Sequence, residues 1–210
     1  MNLILIAVIF SFYLNYLASK NCKKNAELYL ENPYNPVYDI IQYHAPIINL
    51  HTPDYLILLT AITAYIRYLF LLLLTSNDIY TIFIIKFNKH IINLVYSFLL
   101  RGITTRLTII PTCMPKPTVP KKNLSNYYYY NNVSLMIGYT HDLMYSGHTI
   151  VFIFLGKMIE DDYYSNIFLY ISGNIIQYIF PISLILSRQH YTIDVVVAMI
   201  TYNFFNFGLN

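Results

Sequence analysis

Tyr145-Ser146-Gly147-His148-Thr149 stands where polar sequence gives way to an apolar run ending near Ile159. His190-Tyr191-Thr192-Ile193-Asp194 stands at a second such junction and opens the run that reaches Phe207. Outward from these two stretches, the apolar residues fall in blocks close to bilayer length, about 17 to 25 residues for a helix. The blocks cover 2–18, 55–74, 91–110, 143–159, 164–187 and 192–207. They predict an all-α fold, a six-transmembrane helical bundle formed as one domain over residues 1–210.

Composition points the same way. The chain is 57% hydrophobic and 11% charged, with a mean hydropathy of +0.48, whereas a soluble domain is about 25% charged. Block 2–18 lacks a basic start and a small-residue cleavage site, which favours a retained helix over a cleaved signal peptide. Arg67 lies near the far end of the second block, within reach of that surface as a snorkelling anchor. Residues 76–90 carry Lys86, Lys89 and His90 and read as an interfacial connector. Pro111 ends the third block, and Pro181 is expected to kink the fifth. The run Tyr127 to Tyr130 reads as compositional bias, or as aromatic residues at headgroup level.

The net charge of +3 gives no case for a nucleic-acid partner. Cys22 and Cys113 make neither a disulfide framework nor a metal set, and are expected to be unpaired thiols. No internal repeat is visible.

Six alternating spans place the ends of blocks one, three and five on the same face as the starts of blocks two, four and six. Asp54, Arg106, Asp142, His148, Arg188, His190 and Asp194 then gather on one side of the membrane, where random placement would scatter them. Ser146 is a plausible helix N-cap. The unpaired N–H groups after it favour an anion, and Gly147 lets a ligand approach the backbone closely. His148 would sit beside such an anion as a proton donor or acceptor. The bland alternative is an ordinary helix start that carries a histidine.

His190 and Asp194 are four residues apart and share a face if both are helical. The carboxylate would then fix the imidazole tautomer and leave Nε2 free as nucleophile or base, the orienting logic of a catalytic triad. A purely structural hydrogen bond is the alternative. Arg101 lies about ten residues inside the third block, where a charge costs roughly 2.5 to 3.5 kcal/mol unless it faces a polar interior. With Arg106 and Arg188 it supplies the planar forks that match phosphate oxygens, though each could be an interfacial anchor instead.

These residues, taken together, resemble the sphingomyelin synthase family, a branch of the phosphatidic acid phosphatase type 2 superfamily, from about Pro53 to Tyr202. Pro53-Asp54 resembles the family's proline–aspartate motif before the second span. Arg101 through Thr108 to Pro111 resembles its arginine, threonine and proline stretch. Asp142 to Thr149 is similar to D-Y-L-Y-S-G-H-T, and His190 to Ala198 to H-Y-T-x-D-V-V-V-A. Thr140-His141 stand where animal members have cysteine and glycine. Arg188 is closer to the inositol-phosphoceramide-synthase-like relatives of plants and protozoa.

The resemblance implies transfer of a phospho-head group from a glycerophospholipid such as phosphatidylcholine to ceramide or a similar lipid hydroxyl, releasing diacylglycerol, with no cofactor and no metal. It makes His190 the nucleophile or base, Asp194 its orienting acid and His148 the proton donor. Arg101, Arg106, Arg188, Ser146 and Gly147 would hold the phosphate, supported by Asp142, Tyr145 and Asp54. The competing expectation is a lipid phosphate phosphatase that uses water. Those hydrolases carry an arginine six residues before the second histidine, where this chain has Leu184. A non-catalytic lipid-binding scaffold is the third class.

Sidedness draws opposed signals. Lys20, Lys23, Lys24, Lys116, Lys121 and Lys122 fall on the site face against Lys86, Lys89 and Lys157 opposite, so the positive-inside rule makes that face cytoplasmic. The sequons Asn123-Leu124-Ser125 and Asn132-Val133-Ser134 favour the lumen. The resemblance also implies a lumenal or extracellular site, in an endomembrane such as the Golgi or in the plasma membrane.

Overall fold

The computed structural model describes residues 2–29, 38–49, 51–74, 77–108, 145–160 and 166–208. Every regular element among them is helical: α1 (Asn2–Tyr29), α2 (Ile40–His44), α3 (Thr52–Leu74), α4 (Asn77–Leu107), α5 (Gly147–Ile159), α6 (Ile167–Asn174), a π-helical turn (Ile175–Ile179), α7 (Ile182–Leu186) and α8 (Thr192–Gly208). The all-α expectation holds. Among the described residues, one stretch, Ile167–Leu186, is long and apolar enough to cross a bilayer, while Gly147–Ile159 and Thr192–Phe205 are apolar but shorter.

The short helix α5 is the pivot. One of its faces joins Leu94 and Phe98 of α4 and Ala198 and Tyr202 of α8 around Ile150 and Ile153. Another joins Ile176, Leu184, Ile185 and Val195 around Phe152 and Ile159. Gly156 and Gly173 let α5 and α6 touch backbone to backbone. A Cβ on Gly156 would stand 2.8 Å from the Gly173 carbonyl oxygen, and one on Gly173 would stand 2.6 Å from Cβ of Glu160.

Contacts at both ends fix the directions of the helices. Asp54 meets His148 at the starts of α3 and α5, and Arg67 donates to the carbonyls of Met158 and Ile159 at the end of α5, so α3 and α5 run parallel. Helix α1 runs parallel to α4, since Asn15 bonds the Phe98 carbonyl and Cys22 Sγ donates to Thr108 O at 3.6 Å. Helix α4 runs against α5, because Lys86 Nζ donates to Glu160 O at 2.9 Å while Arg101 Nε donates to Tyr145 O at 2.9 Å.

Several boundaries differ from expectation. Residues 76–90 are not a separate connector: from Asn77 they belong to α4, 31 residues long, about 46 Å at 1.5 Å per residue. Helix α1 likewise continues past Ala18 through its lysines to Tyr29. Polar side chains end an apolar run without ending a helix, and neither extension contains Gly or Pro. Arg67 also has a partner within the protein, donating to the carbonyls that end α5. The fifth block stays helical through Pro181, whose φ of −57° and ψ of −22° are helical, but its hydrogen bonding changes register there. Pro181 offers no N–H; ahead of it Phe180 N–H reaches back five residues to Ile175 O at 3.2 Å, and Ser183 N–H bonds Phe180 O at 2.9 Å as α7 begins.

Candidate active site

Three helix starts build the site. Ser146 caps α5 from an extended backbone, its Oγ accepting the Thr149 N–H at 3.1 Å. The Ser146 N–H donates to the carbonyl of Asp194 at 3.3 Å, in the first turn of α8. That one backbone bond joins the two histidine motifs. His148 then points Nε2 at Asp54 Oδ1, 3.4 Å away, from the first turn of α3. His51 Nδ1 stands 3.6 Å from the other oxygen of Asp54. Across the site, His190 Nδ1 is 3.5 Å from Asp194 Oδ2, which also accepts the Tyr191 N–H at 2.8 Å. The two imidazoles face each other with ring centroids 5.8 Å apart, inclined at 64°.

The His190–Asp194 pair does not arise from a shared helix face. His190 precedes α8, in a turn that begins at Arg188 with φ 61. A left-handed residue with a side chain costs roughly 1–2 kcal/mol. Here the turn is held by N–H groups of Gln189 and His190 donating to Leu184 O at 3.0 and 3.3 Å.

Burial separates the two acids: the Asp194 side chain is fully enclosed and that of Asp54 is 43% exposed. Burial works to raise the Asp54 carboxyl, and the hydrogen bonds and charge of His148, then His51, outweigh it and leave its pKa below the usual carboxylate value.

The other expected residues are distributed as follows. Arg101 is 1% exposed, with Nε on the Tyr145 carbonyl and Nη1 3.0 Å from Asn15 Oδ1. It therefore ties α1 and α4 to the segment entering α5. Tyr145 places its ring in the apolar cluster of α4, α5 and α8. Gly147 is buried in the first turn of α5. Arg188 donates from Nη2 to Ala45 O at 3.2 Å, and Arg106 is exposed at the end of α4. Asp142, Cys113, the tyrosine run and both sequons lie outside the described residues.

Sequence reasoning passes over Asp39 and Gln42. One oxygen of Asp39 accepts the Thr192 N–H at 2.7 Å at the start of α8, and the other accepts the Thr192 hydroxyl at 2.9 Å. The same carboxylate caps α2 through the N–H groups of Ile41 and Gln42. Burial raises the Asp39 carboxyl, and these donors, Thr192 first, outweigh that and hold it low. Gln42 Nε2 donates to His190 O at 2.7 Å. An acid ahead of Ile-Ile-Gln is a helix-start signal, but its second helix lies far along the chain.

Two imidazoles, each backed by a carboxylate and close enough to contact one small group, suit attack on phosphorus with proton delivery to the departing oxygen. No curated protein matches the chain. Residues 141–208, which carry His148, His190 and Asp194, match the family described as PAP2 superfamily C-terminal. That match supports a place in the phosphatidic acid phosphatase type 2 superfamily of membrane-associated, phosphoryl-transferring lipid enzymes, without reaching its sphingomyelin synthase branch.

Proposed function

We propose that the protein is a phospholipid head-group transferase of the sphingomyelin synthase type, working as a six-span bundle at a lumenal or extracellular membrane face. His190 Nε2 attacks the phosphorus of a donor such as phosphatidylcholine, and Asp194 stabilises the resulting imidazolium. His148, backed by Asp54, protonates the departing diacylglycerol oxygen. It then takes the proton from the hydroxyl of ceramide or a similar lipid as that oxygen displaces His190 from phosphorus. Arg101, Arg106 and Arg188 are the arginines assigned to the phosphate, with Arg101 held beside the start of α5 by its bond to the Tyr145 carbonyl. The observation that carries this reading is the 5.8 Å approach of the two imidazoles, with a carboxylate behind each.

The alternative is a lipid phosphatase with water as acceptor. Leu184 favours the transferase: where the hydrolases place an arginine, this side chain is fully buried in an apolar cluster. Reconstituted protein given head-group-labelled phosphatidylcholine and ceramide tests both. Label on ceramide supports transfer, label in a water-soluble product supports hydrolysis, and recovery of unreacted donor from folded protein overturns both.

A further inference from the structure

Residues 38–49, with α2 at their centre, lie across the His190 turn and have two unlike faces. The inner face is polar and bonded: Asp39 to Thr192, Gln42 to the His190 carbonyl, the Ala45 carbonyl to Arg188, and Ile48 N–H to Leu186 O at 3.2 Å. The outer face carries Tyr38, Ile40, Ile41, Tyr43 and Ile47, between 48% and 74% exposed, with His44, Pro46 and Asn49 exposed among them. The one carboxylate of the segment, Asp39, is turned inward, and no Lys or Arg occurs in it.

An apolar patch of this kind left in water marks an interaction surface. Its occupant is indicated by what continues it. In the chain the segment is followed closely by α3, 23 residues long, whose Tyr55, Leu58 and Ile62 are also exposed. The segment sits at the helix-start end of α3, α5 and α8. Tyr paired with aliphatic residues at such a level is the composition of a membrane–water boundary.

We infer that residues 38–49 are an interfacial strap: Tyr38, Ile40, Ile41, Tyr43 and Ile47 dip into the headgroup and upper acyl region of the bilayer, while Asp39 and Gln42 grip the His190 turn. The partner is the lipid surface itself. If the proposed head-group chemistry is right, the strap holds the donor lipid's surroundings against the residue that attacks it; the membrane contact does not depend on that reading.

The chain contains no tryptophan, so Tyr43→Trp and, separately, Ile47→Trp each introduce a single fluorescent probe. The full-length variants are reconstituted in phosphatidylcholine vesicles with and without acyl-brominated lipid, alongside Ile62→Trp as a lipid-facing reference on α3. The expected result is blue-shifted emission at both strap positions and bromolipid quenching several-fold stronger than quenching by aqueous acrylamide. Water-like emission with dominant acrylamide quenching overturns the inference. So does protection from both quenchers, which would mean that protein, such as residues 109–144, covers the strap. Because the readout is independent of turnover, an inactive protein with a lipid-quenched strap refutes the transferase reading alone.

Discussion

His148 and His190 meet edge to face at 5.8 Å, though 42 positions separate them in the chain. Each presents a different nitrogen to its acid, Nε2 toward Asp54 and Nδ1 toward Asp194. Removing either ring is expected to lower turnover by about 10² to 10⁴, the usual worth of a positioned acid or base. His148→Ala combined with His190→Ala should fall little further than the worse single variant, since the pair acts as a unit. Single-turnover assays with labelled lipid measure both, and a multiplicative double variant would separate the two roles.

The acids should not be equivalent. Asp194 is enclosed and Asp54 is 43% exposed, so solvent screens the second pair more strongly. Asp194→Asn is expected to cost more activity than Asp54→Asn, and the latter at least tenfold, about 1.4 kcal/mol of activation free energy. Rate measurements at saturating donor rank them; the reverse order would assign the dominant orienting role to Asp54.

Asp39 links stability to acidity. Its folded-state carboxyl pKa is held below the usual value, so the unfolded chain binds the proton more readily. Its contribution is present above about pH 4 and lost as pH falls through the depressed value. Asp39→Ala should cost about 1 kcal/mol for each helix start uncapped. Asp39→Asn should flatten the fall of the thermal midpoint between pH 5 and pH 3, recorded by thermal unfolding in detergent.

Arg101 is a structural prediction. Hydrogen bonds to a buried charged group are worth about 1.5–3 kcal/mol, and this guanidinium joins Asn15 to the Tyr145 carbonyl. Arg101→Lys cannot reproduce the planar fork, so the thermal midpoint should drop even though charge is conserved. Asn15→Ala should produce part of the same loss, read by the same melt.

Gly156→Ala and Gly173→Ala should each destabilise the packing of α5 on α6 by about 1–3 kcal/mol, as overpacked contacts do. The opposing atoms are backbone, or lie close to it, and have little room to yield. The same substitution at Gly102, whose nearest neighbours stand 3.7 Å away, is the tolerated control in a thermal melt.

Much of the site is legible in the chain because alternation of helix directions, which the contacts of α3, α4 and α5 bear out, is a strong constraint. It gathers Asp54, His148, His190 and Asp194 without any knowledge of packing, and Ser146 declares itself as a cap. Arg101 is half legible: its depth demands a polar partner, but nothing local chooses between a phosphate and the Tyr145 carbonyl. Asp39 is illegible because Thr192 lies 153 residues away and a carboxylate with two helices to cap leaves one local signature. The helix ends at 76–90 are misread for a simpler reason: lysines mark the limit of an apolar run, while a helix stops where its backbone loses partners.

The π-helical turn at Ile175–Ile179 has a consequence for evolution and for engineering. A residue added within a helix swings all that follows through about 100°. Beyond the turn Leu184, Ile185, Gln189 and His190 are all buried. Shortening the segment by a single codon would leave the hydropathy profile nearly intact, yet should rotate the His190 imidazole away from that of His148.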